Sequence, residues 1–152
     1  MSDQNRDENK RSVEMLFDSC FNQGDLALLD RLVAPDYAGP QGSKGPDGFR
    51  AVVVLLRTGF PDIHYTLDDV IAEGDRVAVR WHWTGTNSGP YRAFAPTGKT
   101  FTNPGVGIFK FKDGKIVAAT LETDRLGFLE QMGVVPPGAG LGPRPPGAPA
   151  AR

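Results

Sequence analysis

The strongest constraint on the fold of this chain is a change of hydrophobic period at Phe60-Pro61-Asp62. Before that point apolar residues recur every three or four positions; after it they alternate with polar ones. Side chains return to one face every ~3.6 residues on a helix and every second residue on a strand. The chain is therefore read as helices first and strands afterwards. Val13, Leu16, Phe17, Cys20 and Phe21 share one helical stripe over about Asn9–Asn22, with Gly24 as its stop. Asp25 is read as the N-cap of a short helix carrying Leu26, Leu29, Leu32 and Val33. Asp47 is read as the cap of a third helix through Arg57, with Phe49, Val52, Val53 and Leu56 facing inward.

Beyond the switch, Ile63, Tyr65 and Leu67 alternate with His64, Thr66 and Asp68, and Val77, Val79, Trp81 and Trp83 form the next stripe. A strand over about Lys99–Lys112 reverses at Asp113-Gly114 and returns over Lys115–Thr123. A last helix is predicted over Arg125–Met132, stopped by Gly133. Three helices followed by a four-stranded antiparallel meander predict an α+β domain with its helices on one face.

Composition sets the outer limits. Seventeen Lys and Arg against 18 Asp and Glu leave a net charge of −1. Such a balance offers no basic stripe for nucleic acid. The longest aliphatic run, Ala51–Leu56, is far short of the ~20 residues that span a bilayer. The amino terminus is polar, without the apolar centre of a secretory signal. A single cysteine, Cys20, makes neither an intramolecular disulfide nor a zinc site. The expectation is a cytoplasmic protein with no membrane or nucleic-acid partner. Six Pro and four Gly crowd the last 19 residues. The chain is therefore divided into a flexible stretch over 1–8, a folded domain over 9–133 and a disordered tail over 134–152.

Several phrases recur in an order that points to a family. They are Phe21-Asn22-Gln23-Gly24-Asp25, Leu32-Val33-Ala34-Pro35-Asp36-Tyr37, Phe60-Pro61-Asp62 and Ala72-Glu73-Gly74-Asp75-Arg76-Val77 with Arg80-Trp81. Pro96-Thr97-Gly98-Lys99, Asp113-Gly114-Lys115-Ile116-Val117 and the closing Asp124–Gly133 phrase follow. Together, over roughly Val13–Gly133, they resemble the SnoaL-like polyketide cyclases, a branch of the nuclear transport factor 2-like superfamily. The resemblance implies a cone-shaped α+β barrel whose curved, mostly antiparallel sheet wraps on the N-terminal helices around a central pocket. It also implies a homo-oligomer and a small hydrophobic, polyketide-like ligand. The chemistry it implies is intramolecular aldol condensation without metal or organic cofactor, with Asp124 as general acid/base.

Aldol closure needs a base within ~3 Å of an acidic α-carbon proton, with a pKa raised toward neutrality. An apolar pocket around Asp124 would supply that shift, and Glu122, two residues earlier, would add to it if it shares the strand face. Asp before a helix is equally a favoured N-cap. Trp81, Trp83, Phe101, Phe17 and Phe21 either stack on a flat ligand or simply fill the core. Asn103 shares a strand face with Phe101 and Phe109, so if buried it needs a partner; it is a candidate donor to an enolate oxygen. Tyr91 and Asn87 lie in a long connection near the mouth, as lid contacts or plain surface. His82 shares its face with Arg80 and Thr84, opposite the apolar stripe, and is expected to point outward, as is His64. Two histidines so placed make a metal site improbable.

The chain departs from the family pattern at three places. Ala38-Gly39-Pro40 and Asn87 stand where many relatives carry histidine, and Thr120 stands where tryptophan is frequent. Two other functions stay open on the same fold. Epoxide opening would need two aspartates bridged by an arginine, for which Arg80 is the candidate cation. A non-catalytic module would only bind a hydrophobic metabolite.

Overall fold

The structure, a computed structural model, describes residues 3–39 and 42–138. Helix α1 spans Asp3–Met15 and continues directly into a π-helical segment, Leu16–Phe21. It begins six residues before the predicted start at Asn9, inside the stretch expected to be flexible. Gln4 reaches Glu8 one turn on (3.1 Å) and Arg6 pairs with Asp3, so local side-chain pairs extend the helix. The wider π turn buries Leu16, Phe17, Cys20 and Phe21 together. Helix α2, Leu29–Leu32, is shorter than predicted; Asp25 does act there, its Oδ1 accepting from Leu28 N at 3.2 Å. Helix α3 runs Asp47–Gly59, but its N-cap is Pro46, and Asp47 pairs instead with Arg50 one turn on.

Strands β1 (His64–Glu73), β2 (Arg76–Thr86), β3 (Thr100–Lys112) and β4 (Lys115–Thr123) form one antiparallel sheet in sequence order. Helix α4, Arg125–Met132, follows β4. The strict alternation of β2 and β3 decides which face is covered. Val77, Val79, Trp81 and Trp83 lie inward with Phe101, Asn103 and Phe109, against α1 and the π segment. The outward face carries Ile71, Val106 and Ile108, all exposed. Helices on the concave side of a curved antiparallel sheet make a cone-shaped α+β fold.

Several of the recurring phrases prove to be joints. Asn22 pairs with β1 as a strand would: Tyr65 N donates to its Oδ1 (2.6 Å), and its Nδ2 donates to Tyr65 O (3.1 Å). Arg57 from α3 donates to the carbonyls of Phe21 and Asn22, closing the π segment's free end. Asp62 accepts from Thr86 N and Oγ1, tying the start of β1 to the end of β2. Asn87, fully buried, donates to Gly59 O and Gly89 O and accepts from Thr97 N. Of the two readings offered for Asn87, neither holds: it is an internal brace of the long connection, because a buried amide must satisfy its own donors and acceptor. Among the described residues no helix is long and apolar enough to cross a membrane.

Candidate functional site

Asp124 sits where β4 passes into α4, and backbone contacts hold it on three sides. Its N–H reaches Pro104 O (3.3 Å), and its carbonyl accepts from Asn103 Nδ2 (2.9 Å) and Phe128 N (3.1 Å). Its Oδ1 accepts from Gly127 N at 2.8 Å, so it is the N-cap of α4. Oδ2 has no hydrogen-bond partner among the described residues. The side chain is exposed, as are Glu122 and Thr123 before it.

Beside Asp124 runs a groove of about 440 Å³. Glu122, Thr123 and Asp124 line it from β4, and Trp81, Arg80, His82 and Asp68 from β2 and β1. Glu122 pairs across the ladder with Val106 and so belongs to the outer face. It shares the groove with Asp124, but it does not stand beside it in an apolar interior as the strand reading required. The strand ends at Thr123, and the turn into α4 carries Asp124 off the alternation that would have aligned the two.

The outer side of the groove holds a charged cluster made by a β-bulge. The register of β1 slips between Leu67 and Asp69, so Asp68 and Asp69 both face outward. Asp68 Oδ2 lies 2.8 Å from His82 Nδ1 and 3.7 Å from Arg80, while Asp69 Oδ2 accepts from Arg80 Nε at 2.6 Å. His82 thus points outward, as its strand position predicts, onto a carboxylate partner. Alternation alone places Asp68 and Asp69 on opposite faces; the bulge that brings them together has no Gly or Pro to mark it. The arginine between two aspartates, sought for epoxide opening, exists here on the outer face.

Inside, the aromatic candidates divide into two groups. Phe17 stacks on Phe21 at 5.4 Å and packs on Trp81 at 5.3 Å, with Tyr65 and Phe109 around them. Phe128 of α4 packs on Tyr91 (5.0 Å), Phe101 (5.4 Å) and Trp83 (6.4 Å), with Phe60 beside them. Tyr91 is therefore a contact of the closing helix. Phe128, which anchors α4, is a residue that sequence reasoning missed; a lone aromatic in a weakly amphipathic helix carries little periodic signal. Burial pushes the Tyr65 phenol well above its ordinary value, and the nearby Tyr91 phenol adds to the rise. Burial, with Asp25 as a lesser cause, pushes the Cys20 thiol up to about 11. His64 is exposed. Among the described residues no cluster of His, Cys, Asp or Glu is arranged to hold a metal ion.

The structure thus ties Asn103 to Asp124 and leaves Trp81, Trp83, Phe17, Phe21 and Phe101 packed in the core. Comparison with known proteins agrees with this architecture. TsrD from Streptomyces laurentii superposes with a TM-score of 0.79 at 29% identity, over 86% of this chain and 98% of that one. IdmH from Streptomyces antibioticus, described as a candidate polyketide cyclase, gives 0.70 at 31% identity, over 82% and 98%. A candidate SnoaL-like cyclase from Jannaschia sp. CCS1 gives 0.78 at 25% identity, over 90% and 99%. No curated protein matches the chain. The family model of the SnoaL-like polyketide cyclases matches residues 11–132, from α1 to the end of α4, and to that family this chain belongs.

Proposed function

We propose that this protein is a cofactor-independent cyclase that closes a ring of a polyketide-derived ester by intramolecular aldol condensation, with Asp124 as general acid/base. The observation that carries this reading is the division of labour within one carboxylate. Oδ1 is fixed by the Gly127 N–H, while Oδ2 is unengaged on a residue lining the groove. In the proposed cycle Asp124 takes the α-proton of the ester, and the resulting enolate carbon attacks a carbonyl carbon of the same molecule. One carbon–carbon bond forms, the carbonyl oxygen becomes an alkoxide, and the proton held by Asp124 returns to it. Asp124 is exposed in the free protein, so a bound apolar ligand must itself supply the desolvation that strengthens the base.

The experiment is Asp124→Asn assayed by mass spectrometry on polyketide esters. Asparagine keeps the cap, so the fold is retained while turnover falls by ~10²-fold or more. Unchanged turnover would overturn the assignment.

One observation favours a second reading. Arg80 lies between Asp68 and Asp69 at the edge of the same groove, a set suited to orienting water on an epoxide carbon. Diol formation from styrene oxide, lost in Arg80→Gln, would select it.

A further inference from the structure

An antiparallel sheet with one side to water is ordinarily polar on that side, and the outward face here is not. Ile71, Ala78, Ile108 and Thr120 are partners in register, one from each strand, and form a single row across the sheet. Ile71 is 64% exposed, and Ile108 and Val106, two residues away on β3, are each 49% exposed. Contiguous exposed apolar surface of this kind marks a contact site. These side chains border a hollow of about 380 Å³ that adjoins the Asp124 groove, the two sharing Arg80, Val106 and Glu122.

Charge is distributed unevenly about this row. Toward the β3–β4 hairpin the next row is Glu73, Arg76, Lys110 and Ala118. On the other side it is Asp69, Arg80, Val106 and Glu122. Within these rows Glu73 is paired with Arg6, Arg76 with Asp75 and Arg80 with Asp69. Lys110 and Glu122 are both exposed, and among the described residues neither has an ion-pair partner. The face thus carries an unpaired cation on one side of its apolar row and an unpaired anion on the other, a pattern that complements itself.

Self-complementarity is what an isologous two-fold contact requires. With the axis lying along the Ile71–Thr120 row, that row packs against its own copy and strand direction reverses. Lys110 then faces the partner's Val106, with the partner's Glu122 one strand, ~4.8 Å, to the side. Facing sheets stack ~10 Å apart, within the combined reach of a lysine and a glutamate. Arg76 and Arg80, which also come face to face, each bring their own aspartate. The size fits as well. The 11 residues of β2 at ~3.3 Å each, and four strands at ~4.8 Å, give a face of roughly 700 Å² in plan. A stable interface buries ~800 Å² per partner.

We propose that this face is the dimer interface between two copies of the chain, with Lys110 paired to the partner's Glu122 on both sides of a core of Ile71, Val106 and Ile108. A copy seated there also borders the groove that Asp124 lines. The inference does not depend on the aldol reading.

Sedimentation equilibrium of the full-length chain tests it. The wild type is expected at twice the monomer mass at micromolar concentration. Ile108→Asp puts an unpaired charge into the contact and should weaken dimerisation about 100-fold or more. Ile108 is already half exposed, so circular dichroism should show the fold retained. Lys110→Glu should weaken the dimer about tenfold, and adding Glu122→Lys should restore it to within about threefold, because the exchanged pair is again opposite in sign. Val54→Asp, at an exposed position of α3, should leave the dimer unchanged. A monomeric wild type overturns the inference and leaves the face to another occupant, residues 139–152 or a foreign protein. A dimer that survives in folded Ile108→Asp overturns it too. So does a double exchange no tighter than Lys110→Glu alone, and that comparison decides if Ile108→Asp does not fold.

Discussion

Asn103 donates its side-chain amide to the backbone carbonyl of Asp124 across 2.9 Å, joining the inner face of β3 to the residue that starts α4. This bond fixes the position of the candidate base from behind, while the Gly127 N–H fixes its carboxylate from the front. Asn103 is 3% exposed, so its amide is committed to the protein and not to solvent. Asn103→Leu removes the donor and leaves the Asp124 carbonyl with one partner fewer. Thermal and urea unfolding should show a loss of about 1–3 kcal/mol. An unchanged stability would mean that water replaces the amide without cost.

Asp124 combines a cap with a proposed base, and two substitutions separate those roles. Asp124→Ala loses the cap and should destabilise the domain by about 1 kcal/mol. Asp124→Asn should keep stability near wild type. Under the aldol reading both lose turnover to a similar extent. Turnover that followed stability across the pair would show that Asp124 acts only as a cap.

Gly105 exists for the indole above it. A methyl group there would fall 2.4 Å from Trp81 Cζ2, inside van der Waals contact. Gly105→Ala should cost about 1–3 kcal/mol through overpacking and shift the Trp81 fluorescence. The same change at Gly74, where a Cβ meets nothing within 4 Å, controls for the general effect of losing a glycine, although its φ of +55° adds backbone strain.

Cys20 should be inert in the folded protein. Burial raises its thiol to about 11 from an ordinary value of 9.0, so at pH 8 almost none is thiolate. Iodoacetamide labelling at pH 8 should be slow in buffer and fast in denaturant. The folded state disfavours the thiolate that the unfolded chain forms readily. Stability is therefore unaffected by this group below pH 9 and falls as pH rises from 9 toward 11. Cys20→Ala should flatten that alkaline decline, as read by melting temperature against pH.

Asp62 behaves in the opposite sense. The Thr86 N–H, and then its hydroxyl, hold the Asp62 carboxyl below the ordinary carboxylate value of 3.8. Its contribution is present above that value and is lost as pH falls through the lowered folded one. Asp62→Asn should therefore reduce the dependence of melting temperature on pH below about 4. An identical acid slope in the variant would show that the pair is not maintained in solution.

Much of the fold was legible in the chain because it depends on periodicity. The switch at Phe60-Pro61-Asp62 separates helices from strands as expected, and β4 and α4 start and end where turn and cap residues said they would. Asp113-Gly114, both at positive φ, reverses β3 into β4. The helix starts were less legible. Pro46 displaced Asp47 as a cap, and side-chain pairs extended α1 back to Asp3. The family could be read from phrases two of which are joints: Asn22 and Asp62 each close a contact between elements distant in sequence.

The site was only partly legible, for a physical reason. The family resemblance singled out Asp124 as a candidate base, residue type alone read it equally as a cap, and an amide on an apolar face marked Asn103 as a residue in need of a partner. Tertiary structure alone placed Glu122 on the outer face, used a bulge to set Asp68 against His82, and laid Trp81 on Gly105 and Gly107 with its N–H unpaired. The sequence determines which face of each strand is apolar, because alternation is a property of consecutive residues. Which polar atoms meet across the sheet, and which are left without a partner, depends on register and ring orientation. Those are set by strands packing against one another.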